Sequence, residues 1–208
     1  MTLYIPPHFR MDDAAAQLDF IERYPFATLV TASPAGELHA SHLPFHLRRD
    51  EAGKPRLLAH LARANPQAQA LEGAASAMAI FNGPHAYVSP GWYANHPSVP
   101  TWNYAVVHAH GPVRLLDEAE LHELLMEISA TYESPRPKPW RMGELPAPYV
   151  DSMLKMIAGF EIAVERLDAK FKLSQNRPAE VPRVIDALEA EGAVDVASLM
   201  RSHVLPRD

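Results

Sequence analysis

Seven strand-length runs, each closed by a turn or helix signal, limit what this chain can fold into. Residues 26–32 are apolar and β-branched, 33–36 (Ser-Pro-Ala-Gly) make a turn, and 38–47 alternate with Ser41, Leu43, Phe45 and Leu47 on one side. That pattern predicts a hairpin. Further strands are expected at 56–61, 77–81 and 86–89, at 102–116 with Gly111 as a bulge or bend, and at 160–173. Short helices separate them. Asp12 and Asp13 offer caps for a helix carrying Ala15, Leu18 and Ile21, and Asn65-Pro66 is a helix start with Gly73 as its stop. Asp117 and Glu120 form a capping-box pattern ahead of Leu121, Leu124, Leu125 and Ile128. After a proline-rich excursion around Trp140, a helix with Val150, Met153, Leu154 and Ile157 ends at Gly159. The tail reads as a helix with Val184, Ile185 and Leu188, a break at Gly192, and a helix with Val196, Leu199 and Met200. Six or seven strands with short turns and scattered helices predict an α+β or mainly β fold: an antiparallel β-barrel with helices packed outside.

Composition removes several chemistries. There is no cysteine, so disulfides, thiolate zinc sites and cysteine nucleophiles are excluded. The closest glycines, Gly83 and Gly91, are eight residues apart, so no glycine loop cradles a phosphate and side chains or helix ends must do so. A net charge of -6 disfavours a surface dominated by nucleic-acid backbone. Residues 1–8 lack the basic and apolar regions of a signal peptide, and no run is long enough to span a bilayer, which points to the cytoplasm and no membrane partner. His42 with His46, and His108 with His110, share strand faces near His60, but no carboxylate lies at matching spacing, so no metal is expected.

Three places carry chemistry. Residues 85–111 hold two of the three tryptophans, three of the seven tyrosines and four of the eleven histidines, a set that suits a pocket for a flat aromatic ligand and equally an ordinary core. Arg63 beside the Asn65 cap puts a cation at a helix N-terminus, suited to a phosphate or to routine capping. Lys172-Leu173-Ser174-Gln175-Asn176-Arg177 adds two cations and three hydrogen-bonding side chains at the end of an apolar strand.

Taken in order, Tyr4-Ile5-Pro6-Pro7-His8-Phe9, Tyr24-Pro25-Phe26-Ala27-Thr28-Leu29-Val30, Ser41-His42-Leu43-Pro44-Phe45 and His60-Leu61-Ala62-Arg63-Ala64-Asn65-Pro66-Gln67 form one set of motifs. Phe81-Asn82-Gly83-Pro84-His85-Ala86-Tyr87-Val88-Ser89-Pro90, Val99-Pro100-Thr101-Trp102-Asn103-Tyr104 and the 172–177 hexamer complete it. The series resembles the PaiB family of FMN-binding negative transcriptional regulators, from Tyr4 to about Leu188. The resemblance implies a split-barrel flavin fold, similar to pyridoxamine phosphate oxidases, over residues 1–177, with 178–208 as a short helical extension. It also implies a homodimer with FMN at the subunit interface. Carried onto this chain, Arg63, Asn65 and Gln67 become phosphate ligands, and Ser41, His42, Leu43, His60 and Leu61 line the flavin edge. Thr101, Trp102 and Asn103, with Lys172, Ser174, Gln175 and Arg177, close the site from the partner subunit. Between Tyr93 and Val99 the chain has only Ala94-Asn95-His96-Pro97-Ser98, where the family often has a longer segment bearing a lysine. The family name makes DNA a further partner, although the tail helices offer only Arg201 and His203 against several carboxylates. The same ligand suits a flavin-dependent oxidoreductase, and the histidine content leaves haem handling as a third alternative.

Overall fold

The computed structural model describes residues 3–33 and 35–205. Met1 and Thr2 of the N-terminal stretch, Pro34 of the expected first turn, and 206–208 lie outside the described residues. The strands are β1 (Phe26–Ala32), β2 (Leu38–Pro44), β3 (His46–Arg49), β4 (Pro55–Ala62), β5 (Ala77–Val88), β6 (Thr101–Gly111), β7 (Val113–Leu115), β8 (Ile157–Ala163) and β9 (Arg166–Lys172). The α-helices are α1 (Ala14–Arg23), α2 (Pro66–Gly73), α3 (Glu118–Glu133), α4 (Ala147–Leu154), α5 (Val181–Ala190) and α6 (Val194–Val204). They divide into a larger unit, Ile21–Phe81 with Ala109–Leu167, and a smaller unit, Met1–Phe20 with Asn82–His108 and Asp168–Asp208.

In the larger unit β1 pairs antiparallel with β2 on one side and with the first half of β5 on the other, placing Leu29 between Ser41 and Ala79. A second antiparallel sheet has the order β3-β4-β8-β7. Leu29, Leu57 and Ile162 are fully buried, and the Phe45 ring meets Phe81 and Phe160 edge-on at 5.6 and 6.0 Å. Each such ring contributes on the order of 2–3 kcal/mol of burial. Capping proceeds as its residues dictate: Asn65 Oδ1 accepts from Gln67 N, and Asp117 and Glu120 close a full capping box on α3. In the smaller unit β5, β6 and β9 adjoin in that order. Val184, Ile185, Leu188, Val196 and Met200 of α5 and α6 are buried with Phe171 and Leu173, and Gly192 takes the left-handed φ of 78° that ends the first tail helix.

The α+β, antiparallel expectation is met, but among the described residues nine strands replace six or seven. The 38–47 run is cut at Pro44-Phe45: Phe45 N donates to Pro25 O, its ring turns into the core, and β3 joins the other sheet. Likewise Pro112, lacking an N–H, divides the expected 102–116 strand into β6 and β7. Gly111 is required there by close approach, because a Cβ would sit 1.8 Å from Ala163 O. The 160–173 run breaks between Ala163 and Arg166, where Val164 N donates to Pro55 O and Glu165 N to His110 O, so β8 and β9 fall in different sheets. Alternation continues across such breaks and carries no mark of them. Conversely, 77–81 and 86–89 fuse into one strand, β5. Gly83 is no turn residue: a Cβ there would meet Phe20 Cζ at 2.6 Å. Helix α4 ends at Leu154, and Gly159, its expected stop, lies within β8.

Candidate functional site

The residues proposed from the sequence fall into two groups, one in each unit. In the larger unit, Ser41 faces Leu29 across the β1–β2 ladder and lies on the core side. Asn65 Nδ2 donates to Ser41 Oγ at 2.9 Å while Asn65 Oδ1 caps α2. Gln67, 1% exposed, sends Nε2 toward Thr31 Oγ1 at 3.1 Å and His39 O at 3.3 Å, which ties α2 to both strands of the hairpin. Its Oε1 has no hydrogen-bond partner. Ser41 and Asn65 are thus joined side chain to side chain, and Asn65 is joined to Gln67 through the Gln67 backbone N–H. Arg63 reaches elsewhere: Nε donates to Lys155 O at 3.2 Å and Nη2 to Ile157 O at 2.9 Å. A guanidinium carries five N–H donors, so an exposed anion can still be met by the remainder.

Other members of that group diverge. Leu43 faces Ala27 on the core side, whereas His42, opposite Thr28, projects from the other face and is exposed. Leu61 is buried in the core. His60 pairs with Gly159, whose α-carbon faces Leu116 and Leu121, so its imidazole emerges on the side of the sheet that α3 covers. Burial lowers the His60 pKa, and its Nδ1 is buried without a partner.

The smaller unit assembles the second group more tightly. Lys172 Nζ donates to Thr101 Oγ1 and, at 2.7 Å, to Trp102 O, and it lies 5.7 Å from the centre of the Phe9 ring. Burial, with neighbouring Lys170 adding to it, pushes the Lys172 amine below the ordinary lysine range. The Trp102 indole is 53% exposed, and His85 and Tyr87 flank it, each with ring centroids 6.1 Å away. Period-two alternation puts Trp102 outward and Asn103 inward. Asn103 and Ser174, both buried, exchange hydrogen bonds at 3.0 and 3.2 Å, and Asn103 Nδ2 also approaches Met200 Sδ at 3.4 Å. Ser174 adopts φ 69°, stabilised by this pairing. Gln175 turns back to accept from Leu173 N, so it braces the turn. Arg177 stacks on Tyr93 at 4.7 Å and donates to Ser98 Oγ at 2.8 Å.

Sequence reasoning missed Glu180. Its buried carboxylate accepts from Ala94 N, Asn95 N and Asn95 Nδ2, and these donors, Ala94 N foremost, hold its pKa below the usual range. It fixes the short 94–98 segment to the start of α5. A lone glutamate after Pro178 carries no local signal of such a role. Among the described residues no cluster of three or more His, Cys, Asp or Glu stands ready to hold a metal; His46 instead meets Glu127 at 3.0 Å. No helix among them is long and apolar enough to cross a membrane.

The donor set of the smaller unit fits FMN: a half-exposed indole offers a stacking surface for a flat ring system, and partly engaged Lys172 and Arg177 retain N–H donors for a phosphate. The family model described as "Putative FMN-binding domain" matches residues 3–166. The chain belongs to this family. Within the FMN-binding domain family, a Bacillus subtilis (strain 168) protein named "Protease synthase and sporulation protein PAI 2" is 36% identical over 202 residues, covering 95% of this chain and 96% of that protein. An uncharacterised Emericella nidulans protein is 33% identical over 211 residues, covering 81% and 84%. The resemblance to PaiB proteins therefore holds along almost the whole chain. Two solved structures share the fold at low identity. A FAD and heme binding protein from Mycobacterium smegmatis has a TM-score of 0.58 at 18% identity, covering 78% of this chain and 73% of that one. A flavocytochrome from Azotobacter vinelandii has 0.57 at 16%, covering 81% and 72%. The fold is thus of the split-barrel type expected for the family, and FMN is the cofactor the family description names.

Proposed function

We propose that this protein binds FMN as a homodimer of the PaiB type and acts as a negative regulator of transcription. The observation that carries the flavin reading is the exposed Trp102 ring, flanked by His85 and Tyr87, with the Lys172 amine anchored on the Trp102 carbonyl. A planar ring with an anionic tail needs those two features side by side. Ser41, His42, Leu43, His60, Leu61, Arg63, Asn65 and Gln67 form the second set of cofactor residues in this proposal. Their positions support unequal roles: Arg63 as a cation for the phosphate, Ser41, Asn65 and Gln67 as the scaffold that fixes the α2 end, and Leu61 as packing. Thr101, Asn103, Ser174 and Gln175 hold Lys172 and Arg177 in place. When bound, FMN supplies redox and light-absorbing chemistry; the protein supplies orientation and charge.

Titration of FMN into the purified protein, followed by flavin fluorescence and the visible spectrum, tests this reading. Saturable quenching is expected, weakened by Trp102→Ala and Lys172→Gln by about tenfold or more, the equivalent of about 1.4 kcal/mol. No spectral change at millimolar FMN refutes it. The regulatory part is separate. Arg201 is bonded to Glu189 at 2.7 Å and His203 packs on Phe171, so both side chains are engaged within the fold and favour a packing role for α5 and α6. Direct repression predicts a salt-sensitive gel shift on the protein's own promoter region; flavin binding with no shift at low salt removes direct DNA binding alone.

A further inference from the structure

Helix α3, helix α4 and the proline-rich segment between them line a half-open cavity of about 400 Å3 in the larger unit. None of the residues proposed for FMN lines it. Leu125 comes from α3, Trp140, Met142 and Leu145 from the connecting segment, Tyr149, Val150, Met153 and Leu154 from α4, and Ile157 from the start of β8. No charged side chain is among them. The volume lies in the range of about 300–1,000 Å3 usual for small-molecule sites.

The cavity does not close on itself because its wall is stiff. Prolines 135, 137, 139, 146 and 148 restrict the connection. Trp140 N donates to Glu133 Oε2 at 3.0 Å, Glu133 is paired with Arg136, and a 3-10 turn at Met142–Glu144 is closed by Leu145 N on Met142 O. Three large apolar side chains are consequently left about half open to water at one place: Trp140 at 46%, Tyr149 at 53% and Met153 at 47%. Such a cluster around a concavity marks a binding site rather than packing. Charge is kept to the far side of the Trp140–Met142 wall, where a separate cleft carries Glu133, Arg141 and Glu144.

We infer that this cavity is a ligand site for an uncharged, largely apolar molecule with one or two aromatic ring systems. Two rings, Trp140 and Tyr149, supply flat surfaces, and the thioethers of Met142 and Met153 adapt to ring edges. The indole N–H and phenol O–H provide donors for a single acceptor on the ligand. A charged ligand finds no counter-ion here, and desolvating it in this cavity is unfavourable. The inference is independent of FMN.

The test uses the full-length protein with the uncharged fluorophore N-phenyl-1-naphthylamine. Saturable binding at one probe per chain, with energy transfer from tryptophan, is expected. Val150→Arg places a charge in the cavity and weakens binding by about tenfold or more while circular dichroism and the urea midpoint are unchanged, which shows that the variant folds. Non-saturable binding, or binding indifferent to Val150→Arg, overturns the inference. A change of oligomeric mass in Val150→Arg also overturns it, by identifying the surface as an interface between copies.

Discussion

Lys172 illustrates how one side chain's surroundings set its chemistry. Its amine is partly buried beside Lys170, so the charged form is disfavoured and the pKa falls. A protonated Lys172 attracts a phosphate and a neutral one does not. FMN affinity should therefore fall as pH rises through this lowered pKa, before an ordinary lysine would titrate, and Lys172→Arg should abolish that fall; fluorescence titration across pH reads both. His60 also bears on stability. Its folded pKa is depressed, so above about pH 6.5 the ring is neutral in both states, while below it the unfolded chain takes up a proton that the folded chain resists. Stability should decline as pH drops below about 6.5, and His60→Gln should flatten that part of the urea midpoint against pH curve. Strand register puts the His60 ring on the α3 side of its sheet, a fact no local pattern expresses.

Among elements, the breaks between strands decide which sheet each joins. Gly111→Ala would press a methyl onto Ala163 O, 1.8 Å from the ideal Cβ position, so the end of β6 must move off β8. A loss of about 3 kcal/mol or more is expected in chemical denaturation. Gly143→Ala, with nothing within 4 Å, should change stability by less than about 0.5 kcal/mol. Asn103 joins β6 to the 173–177 turn and to α6 through Ser174 and Met200. Asn103→Ala leaves the buried Ser174 hydroxyl short of a partner, a cost of about 1–3 kcal/mol. If the turn positions Arg177 and Lys172 as proposed, FMN affinity falls with it. Helix caps were legible because Asn65-Pro66 and Asp117 with Glu120 act through neighbouring backbone N–H groups. Strand ends were not, since Phe45 and Val164 leave their ladders for partners, Pro25 and Pro55, that are distant in sequence.

For the molecule as a whole, α5 and α6 belong to the smaller unit. They hold the 94–95 backbone through Glu180 and bury Ile185, Leu188 and Met200. Deleting residues 178–208 should therefore yield a chain that no longer retains FMN and exposes apolar surface, read by flavin fluorescence and size-exclusion chromatography. The intact protein should run at twice its 23.1 kDa if the proposed dimer forms. The amino-acid order by itself determined the α+β class, the helix caps, the chemistry excluded by the absence of cysteine and clustered glycine, and membership of an FMN-binding family. All of these reside in local backbone preferences or in residue identity. Tertiary structure alone decided that nine strands among the described residues form two sheets, that Asn103 meets Ser174 and Glu180 meets Ala94 across some seventy to ninety residues, and that an apolar cavity stays open beside α4. Those contacts depend on which distant surfaces find each other, and the period of a side-chain pattern carries no information about that.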